Sequence, residues 1–373
     1  PNGPPGTNGA NGASDPLPPG SPPPFKITTV PLGAEPSTPG AQQEIYKLSV
    51  NINQILVPVR VTDDQGHLVA GLLHSDFSVY EDDKKQTLNF FTSDPFALSA
   101  AVLIDFGLPD VAIQKINQTY PALEGAFSAY DEVSLFAYSN TVTQLTDFGS
   151  ASARFTAALN SLKTKTGANN GVPITGGPLS DAQGPVVNGI PINPQAPTVV
   201  TPERTAHVLN DAILAAAKDL ASRDRARRRV IFVISDGREY RSDASYGDVL
   251  RVLLTNNIMV YGVGVENAAI PGYNKLSKLR LPKFGYTDIL PKYANATGGE
   301  IMTEYSKDAI ESVYQRIIGA ARNEYTLGYA TRATADNYRE IEVRVDRPSC
   351  RTDLRPCVNV FAKAGYYPLP PGR

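Results

Sequence analysis

Two apolar runs that end in a carboxylate limit what this 373-residue chain can fold into. The first is Ala100-Ala101-Val102-Leu103-Ile104-Asp105-Phe106-Gly107, and the second is Arg229-Val230-Ile231-Phe232-Val233-Ile234-Ser235-Asp236-Gly237. Neither alternates between apolar and polar. Each therefore reads as a strand covered on both faces, the central position of a parallel sheet. Each stops at an Asp beside a glycine-containing turn. In open α/β sheets, ligands sit outside the carboxyl ends of the strands. Asp105 and Asp236 are thus expected on one rim of one sheet, where two carboxylates are candidate ligands for a hard cation.

The surrounding pattern extends this to a fold class. Within residues 96–322, strands are expected at 100–106, 132–139, 229–235, 258–265 and 300–305. Helices are expected between them at 110–129, 152–163, 205–222, 245–256, 287–296 and 307–322. This alternation specifies an α/β domain, a doubly wound and mostly parallel sheet. The flanks, 44–95 and 323–367, read instead as short strands, with Pro58 marking an edge or a bulge. Neither flank has enough strands to stand alone. The economical arrangement pairs them into a small antiparallel β-sandwich in which the α/β domain is an insertion. Residues 1–43 form a Pro/Gly-rich head whose few Gly-x-y triplets are too short for a triple helix, and 368–373 form a C-terminal tail.

Composition removes several function classes. A net charge of −2 with 19% charged residues gives no field for nucleic acid or an anionic membrane. No apolar run has the length of a membrane span. The three histidines, His67, His74 and His207, lack metal spacing, and neither a nucleophile elbow nor a phosphate loop is present. An enzyme is therefore not expected. The basic cluster from Arg223 to Arg229 reads as cations complementing a helix C-terminus. Cys350 and Cys357 are the two cysteines; their spacing suits a disulfide-closed loop, with two unrelated thiols as the alternative. A bridge requires an oxidising compartment. With a chain that starts at Pro1 without Met, the expectation is an exported protein, extracellular or at the cell surface, its signal peptide removed.

The two carboxylate-ended strands resemble those of a von Willebrand factor A domain. That family holds Mg²⁺ with Asp-x-Ser-x-Ser after the first strand, a Thr on a later loop, and Asp within Ser-Asp-Gly. Here the first motif reads Asp105-Phe106-Gly107-Leu108-Pro109, His207 stands at the Thr position (Thr205 if the loop is re-registered), and only Ser235-Asp236-Gly237 is intact. The resemblance implies a vestigial metal site made of Asp105, Gly107, His207 and Asp236. No cofactor is expected, a weakly held, water-mediated Mg²⁺ being the alternative. Further stretches, among them Ala296-Thr297-Gly298-Gly299-Glu300, Glu324-Tyr325-Thr326-Leu327-Gly328-Tyr329 and Gly365-Tyr366-Tyr367-Pro368, are similar to the acidobacterial A-domain-related secreted proteins. That family implies export but no activity. A Gly/Pro/Asn-rich insertion, 164–203, occupies the loop that would deliver the Thr. The expected role is self-assembly into a homo-oligomer or filament. Contacts are expected from Phe25, Ile27 and Val30 in the head and from Val186, Ile190 and Ile192 in the insertion. The alternative is a metal-dependent adhesin that binds a protein or matrix ligand at Asp105 and Asp236.

Overall fold

The structure is a computed structural model. It describes residues 53–63, 66–151, 153–167, 186–187, 190–191, 206–265, 287–304, 306–331, 337–346 and 358–368. All of them belong to the unit Val50–Arg373. The expectations for Phe25, Ile27, Val30, Ile192, Thr205 and the Cys350–Cys357 pair lie outside the described residues.

The first flank supplies β1 (Asn53–Thr62), β2 (Phe77–Glu81), β3 (Lys84–Gln86) and β4 (Leu88–Thr92). The α/β region follows with β5 (Leu98–Asp105), α1 (Asp110–Ala126), β6 (Glu132–Tyr138), β7 (Val142–Ser150) and α2 (Ala153–Leu162). Within the insertion, β8 (Val186–Val187) and β9 (Ile190–Pro191) pair with each other. Then come α3 (Leu209–Ala221), β10 (Arg228–Ser235), β11 (Arg238–Glu239), α4 (Tyr246–Thr255) and β12 (Ile258–Val265). The region closes with β13 (Thr287–Asp288), α5 (Leu290–Thr297), β14 (Ile301–Glu304) and α6 (Lys307–Arg322). The second flank gives β15 (Tyr325–Thr331), β16 (Arg339–Val345), β17 (Asn359–Ala362) and β18 (Gly365–Tyr366).

The central sheet has the order β14-β12-β10-β5-β6-β7, parallel except for the β7 edge. Every residue of β5, β10 and β12 is buried. The reason is in the side-chain alternation. Ala100, Val102 and Ile104 pack under α1, α2 and α6, whereas Ala101 and Leu103 pack under α3, α4 and α5. Both faces being covered, a continuous apolar run is the stable sequence, each fully buried Val, Leu or Ile contributing roughly 1.5–3 kcal/mol. Chain order reverses between β5 and β10, and this switch point sets Asp105 beside Ser235 and Asp236.

The flanks pair across the sequence. One sheet runs β17-β1-β15-β4 and a second runs β18-β16-β2-β3. Val57, Val59 and Val61 of β1 share a core with Phe77 and Val79 of β2, Leu327 and Ile341. The fold is thus a doubly wound, mostly parallel sheet set within a β-sandwich made by both flanks. Pro58 lies opposite Thr326 of β15, just beyond the point where β1 leaves β17, so its missing N–H interrupts no pairing there.

Three expectations are corrected. No strand was expected at 142–150, yet β7 occupies it; as an edge strand with polar exposed residues it has a diluted apolar signal. The helix expected at 205–222 starts only at Leu209, because His207 forms a backbone bridge with Tyr240. The helix expected at 287–296 likewise starts later, at Leu290, since Thr287–Asp288 pairs with Arg238–Glu239.

Candidate functional site

At the switch point the structure brings together Asp105, His207 and Asp236, one ligand atom from each lying within 4.8 Å of the others. Asp105 ends β5 and is wholly buried. Its Oδ1 accepts from the Gly107 amide at 2.8 Å. Its Oδ2 accepts from the Ser235 hydroxyl at 2.8 Å and lies 3.0 Å from His207 Nδ1. Ser235 in turn accepts from the Gly237 amide at 3.0 Å, and Gly237, at φ +79°, makes the left-handed turn that only glycine adopts without strain. His207 is fixed from behind: its N–H donates to Tyr240 O at 3.0 Å and its O accepts from Tyr240 N at 2.9 Å.

Glycine at position 107 has a steric reason. A Cβ on Gly107 would stand 2.7 Å from both Cε1 and Nδ1 of His207. The imidazole fills the space that a side chain at 107 would need. Gly107 and His207, separated by 100 positions in the sequence, are therefore one local solution.

Electrostatics closes the site further. The His207 pKa is raised. Burial alone would lower it, but the hydrogen bond to Asp105 and the charges of Asp105 and Asp236 outweigh burial and the opposing Arg238. The imidazolium is thus favoured, flanked by two carboxylates. Asp236 is raised by burial and by the Asp105 charge, against the lowering influence of Arg238 and His207. Arg238 Nε stands 3.1 Å from Asp236 Oδ2, an ion pair without hydrogen-bond alignment. The Tyr138 hydroxyl is buried here, and burial followed by the Asp105 charge pushes it well above the usual tyrosine value.

The donor set here differs from the all-oxygen shell that magnesium prefers. Magnesium demands near-octahedral oxygen ligands at 2.0–2.1 Å. Asp105 already accepts hydrogen bonds from Gly107 and Ser235 and pairs with His207, the Ser235 hydroxyl donates to Asp105, and the third member of the group is an imidazole. His207 and Ser235 do not face each other as base and nucleophile; both turn to the Asp105 carboxyl group.

Beside the cluster runs a groove of ≈ 520 Å³, lined by Phe106, Tyr138, Asn140, Thr141, Thr143 and Lys165 among others. One wall is the start of the insertion, Thr164 to Gly167. Gly167 lies against the turn after β5, where a Cβ would meet Leu108 O at 2.3 Å. Val186 and Ile190 sit in the short β8–β9 pair. Reasoning from sequence named Asp105, Gly107, His207 and Asp236 but missed Arg238 and Tyr138. The signal for Arg238 was its place two residues after Asp236; Tyr138 ended a strand already expected.

No family model and no curated protein matches the sequence. Solved structures with a related fold include proximal thread matrix protein 1 from the mussel byssus, at 10% identity and a TM-score of 0.37, covering 62% of this chain and 49% of that one. The protein BatB from Bacteroides thetaiotaomicron aligns at 12% identity and a TM-score of 0.37, over 60% of this chain and 99% of that one. A von Willebrand factor type A structure from Catenulispora acidiphila aligns at 9% identity and a TM-score of 0.41, over 85% and 62%. The chain spans about half the length of the mussel protein. At these identities the likeness is one of fold alone.

Proposed function

We propose that this chain is a non-enzymatic, exported binding protein whose rim engages a protein partner without a divalent cation. One observation carries the reading: the chain's own imidazole, stacked on Gly107 and held between Asp105 and Asp236, takes the place at the switch point. The adjoining groove, rich in hydroxyl and amide groups, suits a polar partner segment bound by hydrogen bonds. The partner favoured is another copy of the same chain, in a homo-oligomer or filament built with the head residues Phe25, Ile27 and Val30 and the insertion. Sedimentation of the full chain with and without EDTA, and of a chain lacking residues 1–40, tests this. Assembly is expected to persist in EDTA and to vanish on truncation with the circular dichroism unchanged. Dispersal by EDTA, or a monomer under all conditions, defeats the proposal.

A second reading is favoured by the donor set itself. One imidazole and two carboxylates within 4.8 Å suit a borderline ion such as Zn²⁺ better than Mg²⁺. The chain would then be a metal-dependent adhesin. Calorimetric titration with Mg²⁺, Mn²⁺ and Zn²⁺ decides between the two. Saturable heat that disappears in Asp236→Ala supports the adhesin, and silence with every ion removes it.

A further inference from the structure

The opposite end of the central sheet carries a cleft of ≈ 350 Å³ where the amino ends of β10 and β12 meet β1 and the β17–β18 segment. Five cationic residues line it, Arg225, Arg227, Arg228, Arg229 and Lys363, and no described acidic residue does. Two of the five have acidic partners elsewhere. Arg228 pairs with Glu324 at 3.4 Å, and Arg227 Nε stands 3.7 Å from Glu132.

The other three differ. Arg229 is buried, and it donates to the carbonyls of Asn256 at 3.1 Å and Arg223 at 2.5 Å, at the ends of α4 and α3. Its Nε is buried without a hydrogen-bond partner. Lys363 is 5% exposed, and its ammonium donates to the Asn257 side-chain oxygen at 2.8 Å, a neutral acceptor. Its other neighbour is the Tyr366 ring, 5.8 Å from Nζ. Burial pulls the Lys363 pKa down to about 7, and burial and then the like charge of Arg225 lower that of Arg229. Asp224, whose charge opposes that lowering at Arg229, accepts from the Ala226 amide at 2.9 Å. Buried cations are ordinarily paired or strongly hydrogen-bonded, because removing them from water unpaired is costly. Here cations from two segments, 225–229 and the β17–β18 turn, converge on a space the size of a small-molecule pocket.

We infer that this cleft holds the oxyanion of a small molecule, a carboxylate or phosphoryl group clamped by Lys363, Arg229 and Arg225. Ile55, Leu254 and Tyr367 offer apolar surface to the body that carries it. The site is independent of the rim and of the reading given for it. Charge-assisted hydrogen bonds to Arg and Lys are about twice as strong as neutral ones, so each clamp residue carries a large share of the affinity.

Calorimetry on the full chain tests the inference, with inorganic phosphate and benzoate as probes and sodium chloride at matched ionic strength as the control. Saturable binding of one probe above the chloride control is expected. Tighter phosphate assigns a phosphoryl ligand, and tighter benzoate a carboxylate. Lys363→Met is expected to weaken binding at least about tenfold, as expected for the loss of a charge-assisted contact. Arg225→Glu, at an exposed position that leaves the core intact, is expected to weaken it about as much with an unchanged melting curve. The inference is overturned if neither probe binds above chloride, or if binding is the same in the Arg225→Glu chain.

Discussion

The two ends of the central sheet handle charge in opposite ways. At the carboxyl rim, Asp105 and Asp236 meet His207 and Arg238, so two acidic and two basic side chains from the same chain close on one another. At the amino end most charges are also paired: Glu132 with Arg223 at 2.6 Å, Asp131 with Arg322 at 2.5 Å, Glu324 with Arg228. In the cleft Arg227 and Arg228 keep acidic partners, whereas the hydrogen bonds of Arg229 and Lys363 go to neutral acceptors. At the rim, where such folds usually place ligands, the charged groups meet one another, whereas on the far side Arg229 and Lys363 meet uncharged oxygens. Charge compensation, followed residue by residue, thus makes the cleft the second place to test for a ligand beside the one the fold's habit suggests.

The largest expected effect breaks the rim. Asp105→Ala removes one carboxylate that accepts from Gly107 and Ser235 and pairs with His207, and leaves three buried polar groups without that partner. Loss of one partner of a buried pair costs about 3–5 kcal/mol. Urea denaturation is expected to show a fall of that size. A fall under about 1 kcal/mol, the scale of an ordinary surface pair, would mean that the rim is not closed in the sense argued. Smaller in size but sharper is Gly107→Ser. The new Cβ collides with the His207 ring, and overpacking of this kind costs about 1–3 kcal/mol. Adding His207→Thr clears the space and restores two hydroxyls beside Asp105 and Asp236. The double variant is expected to recover part of the lost stability and to melt higher with Mg²⁺ than with EDTA, while the parent chain does not respond to Mg²⁺. Equal losses in the single and double variants would separate Gly107 from His207.

The sequence made the central strands legible because burial on both faces leaves a continuous apolar run, as in β5 and β10. It hid β7 because an edge strand keeps polar residues at exposed positions. The cross-pairing of β1 with β15 and of β2 with β16 followed from an economy argument, as neither flank could close a sheet by itself. At the rim, Gly107 and His207 stood out as departures from a motif. Their mutual dependence did not, because steric exclusion between positions so far apart exists only in the fold. Lys363 gave no signal at all. In Phe361-Ala362-Lys363-Ala364 it reads as a solvated strand end, and only the fold, which sets it against Asn257 and Tyr366, buries it.

The smallest effect sets the two ends against each other in a pH profile. His207 has a folded-state pKa raised above the unfolded value of about 6.5. Its contribution to stability is therefore complete below about pH 6.5 and is lost as pH rises through the folded value. Lys363 acts in the opposite sense. Burial lowers it to about 7, against about 10.4 in an unfolded chain. Between those values the unfolded state binds more protons, so its destabilising influence is full below pH 7 and fades as pH rises. Each group tilts the profile by at most about 1.4 kcal/mol per pH unit, with opposite signs. His207→Gln is expected to remove the falling component and Lys363→Met the rising one, as read by urea midpoints from pH 5 to pH 10. Asp236, raised by burial first, titrates in the same sense as His207, and Asp236→Asn separates the two. If His207→Gln and Lys363→Met displace the profile uniformly without changing its slope, the charges at the two ends are not linked to folding, and the contrast between a closed rim and an open cleft fails.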